Sequence, residues 1–104
     1  MDNVLGMIGL AKRAGKVVTG AKNCEDYVRK GKSHLIIIAT DISDNGKKAI
    51  VDCCGFYKVK LIEYGKKEDL GKFTGSIERA VISINDRGFA KTILDKYHGF
   101  AREE

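Results

Sequence analysis

Leu35-Ile-Ile-Ile-Ala39 is an unbroken, β-branched-rich apolar run with no polar residue at alternate positions. A strand with one wet face alternates apolar and polar side chains, whereas a strand covered on both faces does not. The run therefore predicts a buried strand, and a buried strand needs helices on either side of its sheet. That requirement points a chain of 104 residues towards a layered α/β architecture.

The stretch leading into this strand is two-faced. At about 100° per residue along a helix, Ala21, Cys24 and Val28 share one face, while Lys22, Asn23, Asp26, Arg29 and Lys30 share the other. Thr19 or Gly20 can cap its start and Gly31 can stop it, which gives about three turns. Lys22 and Asn23 then fall in the first turn, where unpaired backbone N–H groups and the positive dipole end favour an anion such as phosphate.

The remaining elements follow from the same rules. Asp2 or Asn3 caps a helix carrying Val4, Leu5, Ile8 and Ala11 inward, with Gly15 as its stop, and residues 16–19 form a short extended segment. Ser43 caps a helix in which Ala49, Ile50, Cys53 and Cys54 recur at three- and four-residue spacing and which Gly55 ends. Residues 58–62 read as a strand, 66–73 as a short helix burying Leu70 and Phe73, 74–79 as a loop and 80–84 as a strand. Asp86 caps a last helix with Phe89, Ala90, Ile93, Leu94 and Tyr97 inward, and residues 101–104 form a charged, frayed tail. Strand and helix alternate with short connections and no linker or repeat. The expectation is one domain over residues 1–104, a three-layer α/β/α sandwich on a mixed sheet of about four strands.

Composition narrows the chemistry. Nineteen Lys+Arg against fourteen Asp+Glu give a net charge of +5, the footprint of many nucleic-acid binders, although a basic surface that only aids solubility gives the same sum. Cys24, Cys53 and Cys54 are odd in number, and the adjacent pair could bridge only with severe strain, so no disulfide framework is expected. Reduced thiols point to the cytoplasm. The first ten residues carry no basic leader or cleavage site, and no apolar run approaches membrane-spanning length, so neither secretion nor a membrane span is expected.

Catalytic and cofactor signatures are weak. Gly15-Lys16-Val17 lacks the first glycine of a P-loop, and Gly31-Lys32-Ser33 ends a helix where a P-loop opens one. The cysteines, His34 and His98 show no metal-ligand spacing, and neither histidine has a nucleophile or carboxylate at motif distance. No cofactor or metal is expected. Ser76-Ile77-Glu78-Arg79 allows two readings: Ile77 packs down on Phe73, or it presents itself to a partner.

Gly20-Ala-Lys-Asn23, the segment from Arg29 through Leu-Ile-Ile-Ile-Ala-Thr-Asp-Ile to Ser43, and Asp69-Leu-Gly71 resemble the ribosomal protein L-seven-Ae/L-thirty-e superfamily of kink-turn RNA-binding proteins. The likeness runs from Gly9-Leu-Ala-Lys-Arg-Ala-Gly15 to Arg87-Gly-Phe-Ala-Lys91 and is greatest to the small bacterial members. It implies an α/β/α sandwich whose two-faced helix enters an RNA groove opened by non-Watson–Crick pairs. Gly20 would match the family's close-approach glycine, Lys22 and Asn23 its base- and phosphate-contacting pair, and Ile77 with Ser76, Glu78 and Arg79 the loop that shields a flipped-out base. Asp26 departs from the pattern, since many kink-turn binders carry lysine there. A carboxylate among phosphates is repulsive unless Lys22 or Lys30, one turn away on either side, neutralises it.

The resulting reading is a non-enzymatic RNA-binding protein acting on structured RNA, ribosomal or translation-associated, with ribosomal or translation-factor proteins as further partners. The rival is a protein-interaction module that keeps the fold and turns its basic helix face to an acidic partner.

Overall fold

A computed structural model describes the backbone of residues 2–103 and the side chains of residues 2–99. Five helices and four strands alternate: α1 (Asn3–Arg13), β1 (Val17–Thr19), α2 (Ala21–Arg29), β2 (Leu35–Ile38), α3 (Asp44–Tyr57), β3 (Leu61–Glu63), α4 (Lys67–Phe73), β4 (Val81–Ile84) and α5 (Arg87–Glu103). The sheet runs β1-β4-β2-β3, with β2 parallel to β3 and β4 antiparallel to both β1 and β2.

The buried strand lies at the centre, as its composition requires. Leu35, Ile37 and Ala39 enter a core shared with Val4, Ile8, Leu70 and Ile93 from α1, α4 and α5. Ile36 and Ile38 turn to the other face, against Cys24, Val28, Ile50 and Cys54 from α2 and α3. All five residues of the run are fully buried. The three layers are therefore a consequence of one strand having to hide both its faces.

Local signals held where the chemistry is local. The Asp2 carboxylate accepts the Leu5 N–H at 2.9 Å, Ser43 Oγ accepts the Gly46 N–H at 3.1 Å, and Asp86 accepts the Phe89 N–H at 2.9 Å. These are the N-cap bonds expected at the starts of α1, α3 and α5.

Several expectations need correction. Gly55 does not end α3, which continues to Tyr57 and stops on Lys58 in the left-handed conformation at φ 58°. The following strand consequently begins at Leu61 instead of residue 58. Ala21 and Ala49 are exposed: Ala21 is the first residue of α2, and Ala49 lies on the outer side of α3, one step round the helix from the buried Ile50. The tail expected at 101–104 belongs to α5 as far as Glu103, and Glu104 lies outside the described residues.

Candidate nucleic-acid interface

Strand direction gathers the polar helix start and the 74–79 loop at one end of the sheet. β1 leads directly into α2 and β2 into α3, so both helices begin at this end with their unpaired amides facing outward. The Gly20 N–H bonds to the Val81 carbonyl at 3.0 Å, stitching the start of α2 to the start of β4. The Ala39 N–H bonds to Ala80 O at 2.9 Å and the Arg79 N–H to Lys67 O at 3.0 Å. Gly20, Lys22 and Asn23 thus share an edge with Ser76, Ile77, Glu78 and Arg79.

Gly20 sits at φ 94° and ψ 139°, a conformation that a side chain adopts only under strain, and no protein atom lies within 4 Å of where its Cβ would stand. The glycine is therefore required by the backbone as well as leaving the approach open. Lys22 and Asn23 are exposed. Asn23 donates from Nδ2 to Thr19 O at 3.2 Å, which turns its amide back over the helix start. Lys22 forms no ion pair among the described residues.

Asp26 is held by Lys30, not Lys22: Lys30 Nζ lies 2.9 Å from its carboxylate. The hydrogen bond and attraction of Asp26 raise the Lys30 pKa above its ordinary value. Arg29 likewise pairs with Glu25 at 3.2 Å. Arg29 and Lys30 continue the same face about two turns beyond Lys22, some 10–12 Å along the axis. Both are exposed, but unlike Lys22 each is engaged by a carboxylate one turn back.

The loop is better ordered than its composition suggests. Ser76 N–H bonds to Gly71 O at 2.8 Å, and Thr74 Oγ1 donates to Leu70 O at 2.7 Å. These bonds fold residues 74–79 back over α4. A Cβ on Gly71 would stand 2.5 Å from Ile77 O and 2.7 Å from Glu78 Cα, so glycine alone allows the loop to lie this close. Pressed down by its backbone, the loop turns the Ile77 side chain outward, 87% exposed. Packing of Ile77 on Phe73, the first of its two readings, is thereby overturned. Arg79 is half-buried, and its Nε, buried, has no hydrogen-bond partner among the described residues.

Sequence reasoning missed two contributors. Asp41 accepts the Lys67 N–H at 2.8 Å and pins the start of α4 beside this edge. Gly71 sets the height of the loop. Both lie in stretches that carry the family likeness, but their roles have no local signature, because each acts across a tertiary contact.

The cysteines are not poised as nucleophiles. Burial pushes the Cys24 thiol up to about 12 and Cys54 to about 11, and raises Cys53 as well, so none is a thiolate at neutral pH. No group of three or more His, Cys, Asp or Glu among the described residues is placed to hold a metal ion. No helix of the described residues is long and apolar enough to cross a membrane.

Fold and site together define a class, an α/β/α sandwich that presents a polar helix start beside a hydrophobic-tipped loop at one end of its sheet. The chain belongs to the Ribosomal protein L7Ae/L30e/S12e/Gadd45 family, whose model matches residues 2–94. It is similar to the RNA-binding protein YlxQ of Enterococcus faecium, 34% identical over 98 residues that cover 94% of each chain. Its likeness to the YlxQ of Bacillus subtilis is 33% over 88 residues, 85% of this chain and 88% of the relative. Among solved structures, a protein with unknown function from Bacillus halodurans C superposes with a TM-score of 0.89 at 31% identity, over 92% of this chain and 97% of that one. The Giardia lamblia 15.5kD RNA binding protein shares the fold, with a TM-score of 0.77 at 21% identity over 91% and 82% of the two chains.

Proposed function

We propose that this protein binds structured RNA of the kink-turn kind through the start of α2 and the 76–79 loop, and that residues 1–104 act as one non-enzymatic, cytoplasmic RNA-binding domain. Its RNA is ribosomal or otherwise translation-associated. The observation that supports this reading is the Gly20–Val81 bond, which ties the start of α2 to the start of β4, at the end of the sheet where the loop carrying the exposed Ile77 arrives. Amides and lysine suit phosphates, the Asn23 amide suits a base edge, and an outward isoleucine suits the face of an unstacked base. The YlxQ relatives, both named as RNA-binding proteins, support the same assignment.

The test is titration of a kink-turn RNA and a Watson–Crick RNA duplex at several salt concentrations, with Lys22→Ala and Asn23→Ala beside the wild type. Hydrogen bonds to charged groups are worth about 1.5–3 kcal/mol, so Lys22→Ala should weaken the kink-turn complex about tenfold or more. Unchanged affinity in both variants for both RNAs would sink the α2 assignment and favour an acidic protein partner. Gly20→Val is a poor probe, because its backbone strain would disturb the helix start whether or not RNA is present.

A further inference from the structure

The opposite end of the sheet carries a second concentration of positive charge that the α2 reading does not use. α1, α2 and α3 all finish there, and the register sets Lys16, Asn85, His34 and Lys60 side by side: Asn85 N–H bonds to Lys16 O at 2.7 Å, His34 N–H to Ile84 O at 2.9 Å and Ile36 N–H to Lys60 O at 2.9 Å. Lys12, Arg13, Lys16, Lys32, Lys60 and Arg87 are exposed and form no ion pair among the described residues. Asp86, the carboxylate beside them, is engaged in capping α5. His34 and Arg87 line one groove with Lys91 and Asp95, which pair with each other at 3.0 Å, so the unpaired charge that α5 brings to this groove, among the described residues, is that of Arg87.

Local stability accounts for part of this only. Lys12 and Arg13 lie in the last turn of α1, where the dipole favours cations. Arg87 opens α5, where the dipole disfavours them. Lys58 takes a left-handed turn that glycine would adopt at less cost. Lys16, Lys32 and Lys60 lie between helix and strand, where no capping role calls for a cation; Lys32 has a local contact, its Nζ 5.7 Å from the centre of the Tyr27 ring. At the border, Phe56 in the last turn of α3 is 78% exposed, edge-on to Tyr57 with ring centroids 4.9 Å apart.

We propose that this end is a second RNA-contacting surface, which takes a single-stranded segment by its phosphates and stacks a base on Phe56. Cations along a strand of phosphates with an aromatic platform beside them are the recurring means of holding unpaired nucleic acid. Four strands at about 4.8 Å spacing set Lys16 and Lys60 about 14 Å apart, room for several nucleotides. With the α2 start at the other end, the protein would join two segments of one RNA. The inference rests on the RNA-binding reading, but it concerns other residues and a different probe.

The experiment titrates single-stranded oligoadenylate against wild type, Phe56→Ala, Lys22→Ala and the triple variant Lys16→Ala/Lys32→Ala/Lys60→Ala over a range of salt. Each single-strand phosphate contact contributes about 0.7 to the salt slope, so the triple variant should lose about 2 from the slope and bind about tenfold or more weakly. Phe56→Ala should weaken binding about tenfold with the slope unchanged, and Lys22→Ala should lose much less affinity and slope than the triple variant does. Wild-type behaviour in both the triple variant and Phe56→Ala would overturn the proposal. So would displacement of the oligonucleotide by polyglutamate at matched charge, which would assign this end to an acidic protein. Oligoadenylate binding in a protein that takes no kink-turn RNA would refute the α2 assignment and leave this one standing.

Discussion

Ile77 forgoes what an isoleucine ordinarily gains by burial, about 1.5–3 kcal/mol, because the bonds around Gly71 hold the loop backbone against α4 and leave the side chain outside. Ile77→Asp therefore adds a charge to water and not to a core, and the melting temperature should move by no more than a degree or two. If the side chain covers an unstacked base, the same change should cost about tenfold in affinity for a kink-turn RNA. Calorimetric melting beside RNA titration checks both halves. Cys24 illustrates the opposite environment. Its thiol, raised from 9.0 to about 12 chiefly by burial and then by the nearby Cys54 and Glu25, keeps its proton when folded long after the unfolded chain has lost it. The stability this contributes is complete below pH 9.0 and is lost as pH rises towards about 12. Denaturant unfolding of wild type and Cys24→Ala should thus show a gap that narrows by about 1.4 kcal/mol per pH unit across that interval. A constant gap would mean that the buried thiol does not govern alkaline stability.

At the scale of elements, α4 and its loop behave as one unit with Gly71 as the spacer. A methyl group there meets backbone atoms of Ile77 and Glu78, which cannot rotate away. Gly71→Ala should cost about 1–3 kcal/mol, as overpacking does, and should displace the loop so that kink-turn affinity falls even at temperatures where the protein remains folded. Affinity and stability equal to wild type would show that the loop is looser than its hydrogen bonds imply. In α2 the informative residue is Asp26. Its partner is Lys30, so it leaves Lys22 unneutralised and removes Lys30 from the field instead. An exposed pair of this kind contributes little to stability, so Asp26→Lys should melt as wild type does, bind RNA more tightly and show a steeper salt dependence. Identical titration curves would mean that the first turns of α2 do not meet RNA.

These two elements also mark what could be read from the chain. Caps at Asp2, Ser43 and Asp86 and the buried run at residues 35–39 were legible because each depends on neighbours in sequence or on a simple periodicity. The end of α3 was not, since a lysine takes the left-handed turn that Gly55 was expected to supply. For the candidate site, Gly20, Lys22 and Asn23 could be set on a helix start, but spacing alone left Lys22 and Lys30 as equal partners for Asp26, and the structure chooses Lys30. The outward turn of Ile77 depends on a glycine six residues earlier and on a tertiary contact that no local pattern encodes.

For the whole molecule, the sheet decides which motions are open to it. β2 and β4 have hydrogen-bonded neighbours on both sides and side chains buried on both faces, so their amides are released only when the molecule unfolds. The amides of Ala21, Lys22 and Asn23 precede the first capping bond of α2, from Cys24 N–H to Gly20 O at 2.9 Å, and are exposed to solvent in the free protein. Hydrogen exchange can therefore separate two consequences of binding. Any ligand of the folded state slows the β2 and β4 amides together, by an amount set by its concentration relative to its Kd. Only a ligand seated on the α2 start slows Ala21, Lys22 and Asn23 beyond that, because only there do these donors gain acceptors. With a kink-turn RNA we expect both effects, with added slowing from Ser76 to Arg79 and none around Lys16 or Lys60. A uniform slowing, without local protection at residues 21–23, would mean that the RNA stabilises the fold from some other surface, and the helix start would lose its assigned role.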